Sequence, residues 1–175
     1  NAATGAKIWE YDPTAYGEGN ATGIGGVNRG LAYWEKGNDK RLFFCYMNEI
    51  QSVNAITGER ISEFGNGGVV DLRDGLDREF DKEKAYIRNT SPGVVFKDIL
   101  IIGSSLNEAR GALPGHIRAY DVRSGEMKWI FHTIAHPGEF GYDTWPEYYF
   151  KTGGGVNAWS GLSIDKKRGI VYAPL

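Results

Sequence analysis

The chain has a single cysteine, Cys45, among its 175 residues. No internal disulfide can form, and a lone thiol does not make a thiolate metal centre. Long apolar runs are missing too: none approaches the roughly 20 residues that a membrane-spanning helix needs. There is no excess of either charge, since 20 Lys and Arg face 22 Asp and Glu for a net charge of −2. That balance gives no electrostatic basis for binding nucleic acid or an anionic membrane. Helical periodicity is nearly absent; the one stretch that could form a helix, Asp77 to Lys84, reads equally well as a charged loop. The first residues, Asn-Ala-Ala-Thr-Gly, carry neither an initiator Met nor a signal peptide.

Three motif-like features fail on their context. Gly17-x-Gly19 and Gly23-x-Gly25-Gly26 follow no strand-helix-strand pattern, so a Rossmann nucleotide site is disfavoured. His132 and His136 are four apart with Glu139 following, but Pro137 and Gly138 break the helix that would present them to zinc. The glycosylation sequons at Asn20 and Asn89 are short enough to arise by chance.

Glycine, at 25 residues, and aromatics, at 13%, are abundant. Short runs rich in β-branched and aromatic side chains recur: Leu42–Tyr46, Val94–Phe96, Ile99–Ile102, Ile117–Tyr120, Trp129–Phe131 and Ile170–Tyr172. Each is bounded by Gly, Asp, Asn or Lys, which reads as strands joined by tight turns. One turn is repeated. Asn1 to Gly5 precedes Ile8-Trp9, Val53 to Gly58 precedes Ile61, and Ala119 to Gly125 precedes Lys128-Trp129. A fourth copy, Asp165 to Gly169, precedes Ile170. Each copy is expected to join two antiparallel strands, with further hairpins at Lys36 to Lys40 and at Lys97-Asp98 upstream of the second and third.

The unit that repeats is thus four strands. Gly5, Gly58 and Gly125 are 53 and 67 residues apart, above the about 40–50 residues of a propeller blade, with the excess assigned to loops. The fold expected is all-β, part of a β-propeller; a plain sandwich would not require the same turn to recur with a Trp four residues after its Gly, as at Trp9 and Trp129. The phase of the repeat puts residue 1 inside a blade and Leu175 just after a second strand begins. Residues 1–175 are therefore expected to be about two complete blades and two partial ones of a single propeller domain in a longer protein.

The turn-strand pattern Ala-Tyr-Asp-x-x-x-Gly-x-x-x-Trp at Ala119 to Trp129 resembles the tryptophan-docking repeat of the eight-bladed quinoprotein dehydrogenases that use pyrroloquinoline quinone. Non-catalytic scaffold propellers of the bacterial outer membrane carry a similar repeat. Three further stretches resemble the dehydrogenases more specifically: Val27-Asn-Arg-Gly-Leu-Ala-Tyr-Trp34; Thr90-Ser-Pro92 with Gly103-Ser-Ser-Leu-Asn-Glu108; and Gly153-Gly-Gly-Val-Asn-Ala-Trp159 with Ser163-Ile-Asp165 and Gly169-Ile-Val-Tyr172. The resemblance covers nearly the whole chain and about a third of a family member.

The cofactor that the resemblance implies is a flat, electron-poor ring with three carboxylates. Such a ligand needs an aromatic face, cationic and hydroxyl donors, and a divalent cation by the quinone oxygens. The resemblance assigns the face to Trp159, beside glycines that let backbone approach a planar ligand; a blade-docking core residue is the alternative. Arg29 would fork onto a ring carboxylate, or be a surface arginine. Thr90 and Ser105 would donate hydroxyl hydrogen bonds, or be ordinary strand ends. Glu108 would bind Ca²⁺, or be a solvated loop glutamate. The amide ligand to the metal and the catalytic aspartate are expected beyond Leu175.

The alcohol-oxidising members carry adjacent cysteines before the Val-Asn-Arg-Gly motif. This chain has Gly23-Ile24-Gly25-Gly26 there, which resembles the glucose- and sugar-oxidising branch; Cys45 reads as a small buried hydrophobe. The function implied is oxidation of a sugar or alcohol hydroxyl by hydride transfer to the bound quinone, with electrons passing to ubiquinone or a cytochrome c. The setting implied is the bacterial periplasm, with peripheral membrane association through parts beyond this segment. The alternative is a scaffold propeller that binds other proteins.

Overall fold

The computed structural model describes residues 1–15, 27–107, 109 and 111–175. Strands β1 (Ala32–Lys36), β2 (Asp39–Tyr46), β3 (Glu49–Asn54) and β4 (Val69–Asp71) form an antiparallel sheet in that order. β5 (Ile87–Arg88) precedes a second sheet, in which β6 (Val94–Phe96), β7 (Ile99–Ile102), β9 (Ile117–Asp121) and β10 (Met127–Phe131) follow one another antiparallel. β8 (Ser105–Leu106), in the connection between β7 and β9, turns aside to pair with β5. β11 (Ser163–Asp165) and β12 (Ile170–Tyr172) make a third hairpin.

The four repeated turns are alike to the level of single hydrogen bonds. In each, the Gly N–H donates to the carbonyl of the Asn or Asp four residues earlier: Gly5 to Asn1 at 2.8 Å, Gly58 to Asn54 at 2.9 Å, Gly125 to Asp121 at 2.9 Å and Gly169 to Asp165 at 2.8 Å. In each, the side-chain Oδ1 of that Asn or Asp accepts from the backbone N–H groups two and three residues on. The glycines take φ of 71°, 76°, 72° and 69°, a left-handed backbone that disfavours any side chain. The strands expected on both sides of each turn form only at the third and fourth copies. After Gly5 no strand forms in residues 6–12, and after Gly58 a lone bridge, Val53 to Arg60, replaces one until β4 takes the sheet edge.

β7 is covered on both faces, which is why it is apolar without a break. Leu100 and Ile102 of β7 join Trp34, Phe43, Ile50 and Tyr120 in the core against the first sheet. Ile99 and Ile101, on the opposite face by the two-residue period of a strand, pack with Ile117, Ala119 and the β11–β12 hairpin. Buried arginines tie the sheets: Arg41 of β2 donates to the carbonyls of Val122 and Arg123, and Arg118 of β9 to those of Leu72 and Asp74. The repeated turns also meet neighbouring chain. Trp9 lies against Gly58, where an added Cβ would come within 2.6 Å of the indole; at Gly125 the backbone of Gly65 takes that place, with Gly65 N–H donating to Ser124 O at 2.8 Å.

The stretch Asp77 to Lys84 is a loop, and the one α-helix among the described residues is the short α1 (Tyr149–Thr152). No helix among them is long and apolar enough to cross a membrane. Asn89 is 2% exposed, so its sequon is closed to glycosylation in the folded chain.

Two expected results follow from burial. Cys45 lies in the core between the sheets, and burial raises its thiol to about 12. Thiol reagents should fail to label it at neutral pH until denaturant unfolds the sheet. Burial alone would push Asp71 up, but hydrogen bonds from Arg73, from the Arg73 amide and from Asn48 pull it down to about 2 from its ordinary 3.8. Its stabilisation is therefore complete above 3.8 and lost as pH falls from there toward 2, by about 2 kcal/mol. Denaturant melts across that window should show the loss in the wild type and lack most of it in Asp71→Asn.

Candidate functional site

The residues singled out by the sequence lie at one end of the second sheet. The path begins at Asn28, whose Oδ1 accepts from Gly30 N–H at 2.7 Å and turns the chain beneath Pro92. That turn aims Arg29 at the segment after β5. Arg29 N–H donates to Thr90 O at 2.8 Å, and its Nη1 donates to Thr90 Oγ1. With its oxygen so occupied as acceptor, the Thr90 hydroxyl still has its own proton to give to a ligand.

Trp159 approaches from a third segment. Ser91, beside Thr90, donates its hydroxyl to the carbonyl of Trp159 at 2.7 Å, and Asn157 Nδ2 donates to Ser104 O at 3.0 Å. Gly103 lets this segment close in: a Cβ there would fall 2.2 Å from the Ala158 carbonyl. The outcome is an indole 49% exposed at the surface, with the Arg29 guanidinium carbon 5.6 Å from its ring centroid. Ser105 stands opposite Arg88 in the β5–β8 ladder, next to Ser104 and two residues from Thr90 in register. Arg29, Thr90 and Trp159 are thus gathered by three segments far apart in sequence, while Ser105 is tied to their neighbourhood only through its pairing with Arg88. Glu108 lies outside the described residues, as do Arg110 and the Gly23 to Gly26 stretch.

Space accompanies these groups. A cavity of about 920 Å³ is lined by Arg29, Ser91, Gly93 and Gly161, and one of about 430 Å³ by Gly154, Gly155, Asn157 and Trp159. Arg29 of the first stands 5.6 Å from the ring centroid of Trp159 of the second. A Cβ on Gly155, at φ 72°, would meet nothing within 4 Å, so space is open at that one position of the lining. A cation, a hydroxyl proton, an exposed indole and the open position at Gly155 fit a flat polycarboxylate ring. They hold no acid–base pair of their own.

Sequence reasoning overlooked the frame of this site. Asn89, Ser91 and Asn157 are polar, at most 7% exposed, and spend their hydrogen bonds on backbone: Asn89 Nδ2 donates to Gly103 O at 3.1 Å and its Oδ1 accepts from Ser91 N–H.

A family model described as "PQQ: Glucose/ethanol/alcohol dehydrogenase, beta-propeller domain" matches residues 1–175. The chain is 28% identical over 201 residues to quinoprotein glucose dehydrogenase A of Acinetobacter calcoaceticus, covering 98% of this chain and 23% of that protein. To the quinohemoprotein alcohol dehydrogenase ADH IIB of Pseudomonas putida it is 27% identical over 183 residues, covering 98% and 24%. The solved quinohemoprotein alcohol dehydrogenase from Comamonas testosteroni superposes with a TM-score of 0.71 at 24% identity, over 98% of this chain and 25% of that one, a likeness of fold. The chain spans about a quarter of the length of these proteins.

Proposed function

The chain belongs to the PQQ glucose/ethanol/alcohol dehydrogenase β-propeller family, and we propose that it is part of an enzyme that oxidises a hydroxyl of a sugar or an alcohol with bound pyrroloquinoline quinone. The observation that carries this reading is the meeting of Arg29, Thr90 and Trp159. Trp159 offers the stacking face. Arg29, steadied by Thr90, binds a ring carboxylate, and the Thr90 and Ser105 hydroxyls donate to others. Glu108 is the carboxylate that this stretch contributes to Ca²⁺, a hard cation that takes oxygen ligands. Bound, the quinone supplies the electron sink that no side chain here provides. The bare indole and backbone keep water off one face of the ring.

In the same reading the sheets are blades of an eight-bladed ring. Trp9 on Gly58 is then a tryptophan dock, and Trp129, 39% exposed, is free to make the same contact with another blade. The substrate class is set at sugar or alcohol, with the sugar branch favoured by the glycines that stand where alcohol-oxidising members carry paired cysteines. Electrons leave to ubiquinone or a cytochrome c, and the protein works in the periplasm, with peripheral contact to the membrane.

The test is reconstitution of the full-length protein. Dye-linked oxidation of glucose, glycerol and ethanol should require both pyrroloquinoline quinone and Ca²⁺, and Arg29→Ala should weaken quinone affinity by about 10- to 150-fold, the worth of a charge-assisted hydrogen bond. Arg29→Lys should recover only part of it, because an ammonium cannot fork onto a carboxylate. Oxidation that proceeds equally without added quinone, in protein freed of it, would remove the reading.

A further inference from the structure

All three histidines of the chain, His116, His132 and His136, come together with Asp77. Their candidate ligand atoms lie within 4.8 Å of one another. They arrive from the loop after β4, the residue before β9 and the segment after β10. Pro137 and Gly138 do exclude a helix, but none is needed: His132 directly follows β10, and Glu139 N–H donates back to His136 O at 3.0 Å to close a turn. The turn lays the rings of His132 and His136 parallel, 3.8 Å apart with 1° between planes.

Hydrogen bonds fix which nitrogens are free. His116 Nδ1 accepts from Thr133 N–H at 3.2 Å, so its proton is on Nε2, where it donates to Asp77 Oδ1 at 3.2 Å. His132 Nδ1 stands 2.7 Å from Glu139 Oε1 and gives its proton there. That leaves a lone pair on His132 Nε2, 3.0 Å from Asp77 Oδ2, and His136 Nε2 is 3.0 Å from the same oxygen. Two acceptors this close need a shared proton or a metal ion between them. A metal at the usual bond length of about 2.0–2.1 Å holds tetrahedral ligand atoms about 3.3 Å apart, so binding would widen the two 3.0 Å nitrogen–oxygen contacts slightly and tilt the parallel rings until both lone pairs meet the ion.

We propose that Asp77 Oδ2, His132 Nε2 and His136 Nε2 bind one divalent transition-metal ion of the zinc class, with His116 and Glu139 as positioning residues. Imidazole donors select such an ion over Ca²⁺, so the site is distinct from the cation proposed beside the quinone. Glu139 on His132 makes the carboxylate–histidine–metal relay that fixes ring and tautomer. The ion pins the loop after β4 to the end of the second sheet. Asp77, on the solvent side, leaves the fourth position to water.

The experiment is titration of chelator-stripped, quinone- and Ca²⁺-loaded full-length protein with ZnCl₂, and with CoCl₂ as a spectroscopic probe. One equivalent of zinc should bind, and cobalt should give the visible bands of a four- or five-coordinate site. His132→Gln and His136→Gln should each weaken zinc binding by at least about 100-fold, and Glu139→Gln by about 10- to 100-fold, with quinone affinity unchanged. If a variant does not fold, X-ray absorption on the zinc-loaded wild type decides, with two imidazole nitrogens per zinc expected. Failure of the stripped protein to take up zinc, zinc and cobalt binding that survives both histidine variants, or a zinc shell without two imidazoles would each overturn the site and leave a hydrogen-bonded cluster that holds no metal.

Discussion

Trp159→Ala is expected to weaken binding of pyrroloquinoline quinone to the full-length protein by roughly 30- to 150-fold, or about 2–3 kcal/mol, the worth of one flat ring stacked on an aromatic side chain. The indole makes little of the core. It is 49% exposed, while its neighbour Ala158 is buried in the cluster with Ile101 and Ile117. Its position is held through its backbone carbonyl, which accepts from Ser91 and which alanine keeps. Truncation should therefore cost little stability, and the melting temperature without cofactor should stay near the wild-type value. Trp159→Phe should retain most of the affinity, because a smaller aromatic face remains. A loss of stability in Trp159→Ala as large as its loss of affinity would make the indole a packing residue instead. Titration of quinone fluorescence quenching beside thermal melts separates the two.

What could be read from the sequence depended on whether the cause was local. The turn at Asp121 to Gly125 is dictated by a side-chain acceptor and a left-handed glycine within five residues, so its form was legible four times over. Ile99 to Ile102 was legible as a strand because burial on both faces removes the polar alternation. β4 was not: its three residues follow the glycines at 65, 67 and 68, and only the edge left open beyond Gln51 recruits them. The site divides in the same way. Residue types at Arg29 and Trp159 suggested the chemistry, but their meeting depends on contacts 61 and 68 residues apart in sequence, through Thr90 and Ser91. The meeting of the three histidines was not legible, because spacing of four aligns rings in a helix, whereas here a turn after β10 aligns His132 and His136, and His116 arrives from just before β9.

Gly103→Val is expected to damage both the fold around the site and the site itself. Gly103 is not in the left-handed region, so backbone conformation is no objection to a side chain. Space is the objection: the first carbon would lie 2.2 Å from the Ala158 carbonyl and 2.9 Å from its Cβ. Backbone cannot swing aside as a side-chain tip can, and Gly103 is itself held by Asn89, which donates to its carbonyl. Relief therefore comes from moving residues 157–159 outward, which breaks the Asn157 bond to Ser104 and the Ser91 bond to Trp159. Overpacking of this kind costs about 1–3 kcal/mol or more, and quinone affinity should fall with it because the indole leaves Arg29. Gly37→Ala is the contrast. Its turn needs φ 62° but has nothing within 4 Å, so that variant should lose about 1 kcal/mol of stability with quinone affinity intact. Equal quinone affinity in Gly103→Val and wild type would mean that the position of Trp159 does not depend on this contact.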